Sequence, residues 1–281
     1  MNRVLLLTDF SKNANEAVDF AFQLWKGRSC KFFILNIQKT SEFTTDDLIT
    51  AKPHESIFAS IIADNKAKIN AYIETLKDKV SNEDFELIAK VDYDVFSDAV
   101  KQAVSTYDID YIVMGTNGIS GASEQIFGSN TMQVIRNVSC PTIVVPEGFS
   151  FRPLKEVLYT QTEKFCPTKA ELAPVVALLG DRASRMHLLA IHPPEARDLE
   201  SLEKTLAELE NDPFGDIVTQ VETLEDLPVP QAINAYQQLN EVDLHVFLVQ
   251  KESFLKRFLF GSNAGQVSHR TRVPLLVLHH K

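Results

Sequence analysis

The residues best suited to chemistry lie in one stretch, Asp110-Tyr-Ile-Val-Met-Gly-Thr-Asn-Gly-Ile-Ser-Gly-Ala-Ser-Glu-Gln-Ile-Phe-Gly-Ser-Asn-Thr131. It begins as a short apolar strand and breaks into glycine: four of the ten glycines in the chain, Gly115, Gly118, Gly121 and Gly128, fall inside it. It ends at Gly128-Ser129-Asn130, where an amphipathic run opens with Val134, Ile135 and Val138 on one side. A strand, a glycine loop and a helix start together suit the binding of phosphate. Glycine lets the backbone approach an anion closely, and the first turn of a helix offers unpaired N–H groups at the positive end of its dipole. The spacing is neither that of a P-loop, because no Gly-Lys-Ser/Thr follows, nor that of the G-x-G-x-x-G dinucleotide loop.

Positioning such a loop requires a strand before it, a helix after it and neighbouring strands to complete a sheet. Residues 3–9 read as a buried parallel strand with a polar tip, Thr8-Asp9. A helix follows, capped by Ser11 or Asn13, with Asn13 and Glu16 resembling a capping box. Its apolar side carries Trp25, which the spacing places in the core, and Gly27 ends it. Lys31–Ile37 is a second strand, so the unit is a right-handed βαβ crossover. Residues 38–54 are a polar loop. Residues 55–80 then read as a helix with Phe58, Ile61, Ile62, Ile69, Tyr72, Ile73, Leu76 and Val80 along one stripe. Three further strands (85–91, 109–114 and 141–146) and two helices complete five strands and four helices.

The order then repeats from Glu156. Thr168 and Glu171 form a capping box for the helix matching the first one, and Pro174 inside it predicts a kink or a later start. The clearest internal correspondence is Phe127-Gly-Ser-Asn130 with Phe260-Gly-Ser-Asn263, each followed by a closing strand that begins with proline. The chain therefore divides into two α/β domains, 1–148 and 152–281. The expected fold class is α/β, with two tandem open parallel five-stranded sheets flanked by helices, Rossmann-like and doubly wound. The closing strands, Thr142–Val145 and Leu275–Leu278, are expected to join them as an intrachain pseudo-dimer, since an uncovered apolar edge strand invites aggregation.

Gly115, Gly118 and Gly128-Ser129, spaced by two and nine residues, resemble the nucleotide-binding signature of the universal stress protein family, and both halves resemble its domains. The resemblance implies adenine nucleotide, ATP or AMP, at the carboxyl ends of the strands, in agreement with the rule for ligands of open α/β sheets. It assigns Asp9, following Thr8, to the nucleoside end and the backbone of Ile37 to the adenine edge. Met114 and Gly115 wall the adenosine, and Gly118, Gly128, Ser129 and Asn130 contact ribose and phosphates. Leu7 stands where the family usually has proline. Asp9 also reads as a turn or capping carboxylate, and the two roles coexist. The second half departs from the pattern: its loop is Val249-Gln-Lys-Glu-Ser-Phe-Leu-Lys-Arg257 and its first strand ends in Gln161-Thr162. Nucleotide is therefore expected in the first domain only.

The remaining features bound the function. The net charge of −10 argues against nucleic acid and anionic membrane surfaces as partners. No apolar run reaches bilayer length, and the N-terminus meets charge too early for a signal peptide, so a cytoplasmic protein is expected. Cys30, Cys140 and Cys166 have no Cys-x-x-Cys spacing and read as reduced, packed thiols. No catalytic triad or metal-ligand spacing is visible. Three readings stand: a nucleotide-binding regulatory protein of the stress response, acting through an unnamed protein partner and compatible with homodimerisation; a slow ATPase, with Mg²⁺ held mainly by the phosphates; and a protein-interaction module with a vestigial site.

Overall fold

The computed structural model describes residues 1–38, 57–116, 127–162, 167–180, 182–193, 204–205, 207–209, 214, 217–249 and 272–280. Gly118, Gly121, Cys166, Lys251, Lys256, Arg257 and the second Phe-Gly-Ser-Asn run lie outside these residues, as do the side chains of Phe58, Ile61 and Ile62. The elements are β1 (Asn2–Leu7), α1 (Lys12–Leu24), β2 (Cys30–Ile37), α2 (Ile57–Lys79), β3 (Phe85–Asp92), α3 (Phe96–Tyr107), β4 (Tyr111–Gly115), α4 (Ser129–Asn137) and β5 (Thr142–Val145). They continue as β6 (Glu156–Gln161), α5 (Lys169–Leu179), β7 (Arg185–His192), β8 (Val218–Glu225), α6 (Val229–Leu239), β9 (Leu244–Val249) and β10 (Leu275–His279).

The apolar runs make central parallel strands because side chains on both of their faces are covered. β1, β4, β5, β6 and β9 are buried over nearly their whole lengths. The strands form a single ten-stranded sheet in the order β3-β2-β1-β4-β5-β10-β9-β6-β7-β8. Every pairing is parallel except the central one, where β5 meets β10 antiparallel with Leu276 opposite Ile143. The expected contact through the closing strands is thus a shared ladder, and two five-stranded halves become one mixed sheet. Two apolar layers, one on each face, run through both halves.

The halves share a device that the sequence did not reveal. Asp110, just before β4, accepts from the amide of Arg3 at the start of β1 (2.8 Å). Asp243, just before β9, accepts from the amides of Lys155 and Glu156 at the start of β6 (both 3.0 Å). In each half an aspartate ties together the amino ends of the two central strands, exposed in the first half and buried in the second.

Two local expectations are corrected. Ser11 caps α1, its hydroxyl accepting from the Ala14 amide at 3.2 Å. Asn13 is a buried residue of the first turn and forms no capping box with Glu16. Pro174 does not delay α5, because the Thr168–Glu171 capping box starts the helix at Lys169 and the helix runs through the proline. Trp25 is fully buried, as its spacing implied, edge-on to Phe32.

Candidate functional site at the carboxyl ends of β1 and β4

In each half the chain goes first to one side of its first strand and then to the other. In the first half the order β2-β1-β4 places this switch point between β1 and β4, where open α/β sheets bind ligands beyond the strand ends. Leu6 is paired with Val113, so Thr8 and Gly115 reach the same level on adjacent strands.

The β1 side is a turn built from polar contacts. Thr8 continues the ladder, its amide donating to Leu35 (3.0 Å), and its carbonyl accepts from the Asn36 amide group (2.7 Å). The Thr8 hydroxyl accepts from the Phe10 amide and Asp9 Oδ1 from the Ser11 amide, both at 3.0 Å. Asp9 is half-buried, and its carboxylate shapes the turn while the cap of α1 is left to Ser11.

The β4 side is closed by contacts around the base of the glycine loop. The Thr116 amide donates to Val145 (3.1 Å) and the Gly128 amide to the Thr116 carbonyl (2.7 Å). The Thr131 hydroxyl reaches the carbonyls of Gly115 (3.1 Å) and Thr116 (3.0 Å). These bonds set the first turn of α4 against the end of β4. Gly128 is the N-cap and, having no side chain, supplies no capping bond to the helix start at Ser129 and Asn130.

Gly115 is required by space. A Cβ there would lie 2.6 Å from Cγ of Asn13 and 3.0 Å from its carbonyl oxygen. Asn13 in turn extends its amide nitrogen to 3.5 Å from the Val145 carbonyl. The start of α1 therefore sits directly on the end of β4, which draws the Asp9 turn and the α4 N-terminus together.

Of the residues singled out in the sequence, Thr8, Asp9, Met114, Gly115, Gly128, Ser129 and Asn130 gather at this edge, and Ile37 ends the adjacent strand β2. Gly118 lies outside the described residues. Asn13, Asn36, Thr116 and Thr131 belong to the same constellation and were not anticipated. Thr131 follows the Gly-Ser-Asn run directly, which is the one local signal; the others act across the sheet.

The second half differs at the equivalent edge. Val157 pairs with Leu244 as Val4 pairs with Tyr111, so Leu248 occupies the level of Gly115. Gln161, buried, ends β6 and accepts from the Tyr159 hydroxyl at 2.7 Å.

The universal stress protein family model matches residues 1–146 and again 169–279. A universal stress protein of Synechocystis sp. is 25% identical over 176 residues, covering 60% of this chain and 58% of that protein, so the match spans little more than half of that relative. One from Bacillus subtilis is 27% identical over 151 residues, 51% of this chain and 98% of its own length. The crystal structure of a universal stress protein from Archaeoglobus fulgidus shares the fold, with a TM-score of 0.66 at 17% identity over 99% of this chain and 96% of that one. With the family model matched twice along a sheet built from two equivalent halves, the chain belongs to the universal stress protein family.

Proposed function

We propose that the protein binds an adenine nucleotide, ATP or AMP, at the carboxyl ends of β1 and β4 and uses it for regulation in the stress response. The observation that carries this reading is the closed base of the glycine loop. The Thr116–Gly128 bond sets an α4 N-terminus, with glycine as its N-cap, beside the Asp9 turn. An anionic tail on the helix start and a nucleoside near a carboxylate fit the two ends of one ligand. In this reading Ser129, Asn130 and the backbone at Gly128 hold phosphate, Asp9 and the backbone of Ile37 meet the nucleoside, and Met114 and Gly115 form its floor. Mg²⁺ arriving with ATP would be carried mainly by phosphate oxygens.

The first domain, 1–148, is the nucleotide domain in this proposal, and the second, 152–281, completes the sheet. Leu248 at the level of Gly115, and Gln161-Thr162 in place of Thr8-Asp9, support that division. Among the described residues no helix is long and apolar enough to cross a membrane. We place the protein in the cytoplasm, with a protein partner reading the nucleotide state.

The test is the small-molecule content of freshly purified protein, measured by mass spectrometry after denaturation, beside a Gly128→Val variant. Gly128 has φ −63° and ψ 161°, a backbone conformation open to any residue, and valine there is chosen to obstruct the ligand. About one equivalent of adenine nucleotide per chain, absent from the variant, is the expected result. Two equivalents would refute the division between the halves. None, with no binding of added ATP and Mg²⁺, would refute nucleotide binding.

A further inference from the structure

Phe10 lies in the left-handed region, with φ +63°. A bulky residue rarely adopts this conformation, and it persists only where its surroundings over-determine it. The surroundings here come from three elements besides the turn itself. On the amide side, the Thr8 hydroxyl accepts from Phe10 at 3.0 Å. On the carbonyl side, the Asn15 side chain in α1 donates to Phe10 at 3.4 Å. The Asn15 amide oxygen then accepts from the hydroxyl of Tyr72, in α2, at 2.6 Å. The Phe10 ring meets the Tyr72 ring edge-on, with centroids 5.4 Å apart, and Lys68 Nζ stands 4.9 Å from the centroid of Phe10. From β2, Asn36 holds the Thr8 carbonyl.

Tyr72 is thus 57 positions from Asn15 in the chain and one hydrogen bond away in space. Burial, followed by the nearby charge of Asp19, pushes its pKa upward, so its hydroxyl remains a neutral donor at any physiological pH. Asp9 sits between Thr8 and Phe10, and the direction of its carboxylate follows the shape of the turn.

We propose that Tyr72 is a positioning residue for Asp9: through Asn15 and Phe10, helix α2 clamps the turn in the conformation that the nucleotide site uses. The inference rests on the nucleotide reading of the site. It also names the element that responds to ligand. Coupling of binding free energies is reciprocal, so if α2 holds the turn for the nucleotide, the nucleotide tightens α2 on the turn.

The variant Tyr72→Phe deletes the hydroxyl and keeps the ring against Phe10. Three measurements on the full chain test the proposal. Without nucleotide, the amides of Phe10 and Ser11 should exchange hydrogen faster in the variant, with the global unfolding midpoint little changed. Calorimetric titration with ATP and with AMP should show affinity weakened about tenfold, the scale of one hydrogen bond. In an Asp9→Asn background the same change at Tyr72 should add nothing, because the group being aimed is gone.

Wild-type affinity in Tyr72→Phe overturns the proposal. So does an equal loss in the Asp9→Asn background, which would mean general loosening and not aim. If the wild type takes up neither nucleotide, the functional reading fails by itself. The exchange measurement then still judges the clamp, and unchanged protection of Phe10 and Ser11 overturns it.

Discussion

Arg28 and Arg182 reach across the seam between the halves in opposite directions, each donating to carbonyls at the end of the other half's helix. Arg28 Nη1 lies 3.2 Å from the carbonyl of Leu178 and 3.4 Å from that of Ala177 in α5. Arg182 donates to Leu24 at the end of α1 and to Leu178 of its own helix. The last carbonyls of a helix have no partner within it and carry the negative end of its dipole, so a guanidinium satisfies both needs. The cost is burial of the Arg182 charge next to Arg28; these two causes, in that order, bring its pKa down to about 10, and it stays charged at neutral pH.

Replacing Arg182 with Gln should therefore destabilise the protein by about 1.5–3 kcal/mol, the range for hydrogen bonds from a charged group. Arg28→Gln should cost less, because one of its two bonds across the seam is exposed to water. Urea unfolding of both variants measures this, and equal stability of wild type and Arg182→Gln would show that the Arg182 bonds contribute nothing net to the seam.

Gly115→Ala forces a methyl group against Asn13, whose carbonyl oxygen is backbone and cannot swing aside. We expect a loss of about 1–3 kcal/mol, typical of overpacking. Adding Asn13→Ala should recover part of it, since the side chain is the nearer obstacle. A double-mutant cycle in chemical denaturation reads the sign of that coupling.

His279 in β10 crosses the seam to the first half. Its Nε2 lies 2.7 Å from the Ile135 carbonyl, so Nε2 carries the proton of the neutral ring and donates. Nδ1 is buried with no hydrogen-bond partner among the described residues. Burial lowers the pKa below its ordinary 6.5, against a smaller upward push from the bond to Ile135. The unfolded chain then takes up this proton first. Stability is undiminished above pH 6.5 and falls as the pH drops below it, until the folded form also protonates. His279→Gln should flatten the wild-type loss of stability between about pH 7 and pH 5, measured by denaturant midpoints across that range.

In the second half, buried Glu156 receives Arg185 and, at 2.9 Å, His187 Nε2. His187 Nδ1 is 3.1 Å from the Tyr236 hydroxyl, which also reaches Gln220. Glu156→Ala leaves buried His187 without its acceptor and should cost about 1–3 kcal/mol, as for other buried donors left unpaired. Glu156→Gln, which keeps an acceptor, should cost less. Thermal and urea unfolding of the two variants measure the difference.

Cys30 and Cys140 are both buried, and desolvation, with a smaller contribution from the charge of Asp110, raises each thiol to about 12. The thiolate is the reactive form, so neither should react with a thiol reagent in the native protein. Both should become reactive in step with denaturation, which a mass-resolved labelling experiment at graded urea follows. Labelling of either in the folded state would contradict their packing.

What the sequence determined by itself was local and periodic. The buried strands were legible as uninterrupted apolar runs, α1 and α3 as apolar residues at helical spacing, and the Thr168–Glu171 capping box as a short contiguous pattern. Duplication was legible because Phe-Gly-Ser-Asn and a proline-led strand recur in the same order, and the glycine clustering between Gly115 and Gly128 marked the edge where the site was to be sought. The tertiary structure decided what depends on residues far apart in the chain. Asn13 looked like part of a cap because capping boxes are recognised by spacing; only the approach of α1 to β4 shows that it is packed under Gly115. Tyr72 counted as one more member of an apolar stripe, since periodicity reports which side of a helix is buried and says nothing of where a hydroxyl ends. Pro174 pointed to a kink or a later helix start, yet the cap before it set the start at Lys169. The contact between the closing strands β5 and β10 was expected, but its antiparallel sense and the two arginines that brace it depend on residues far apart in the chain.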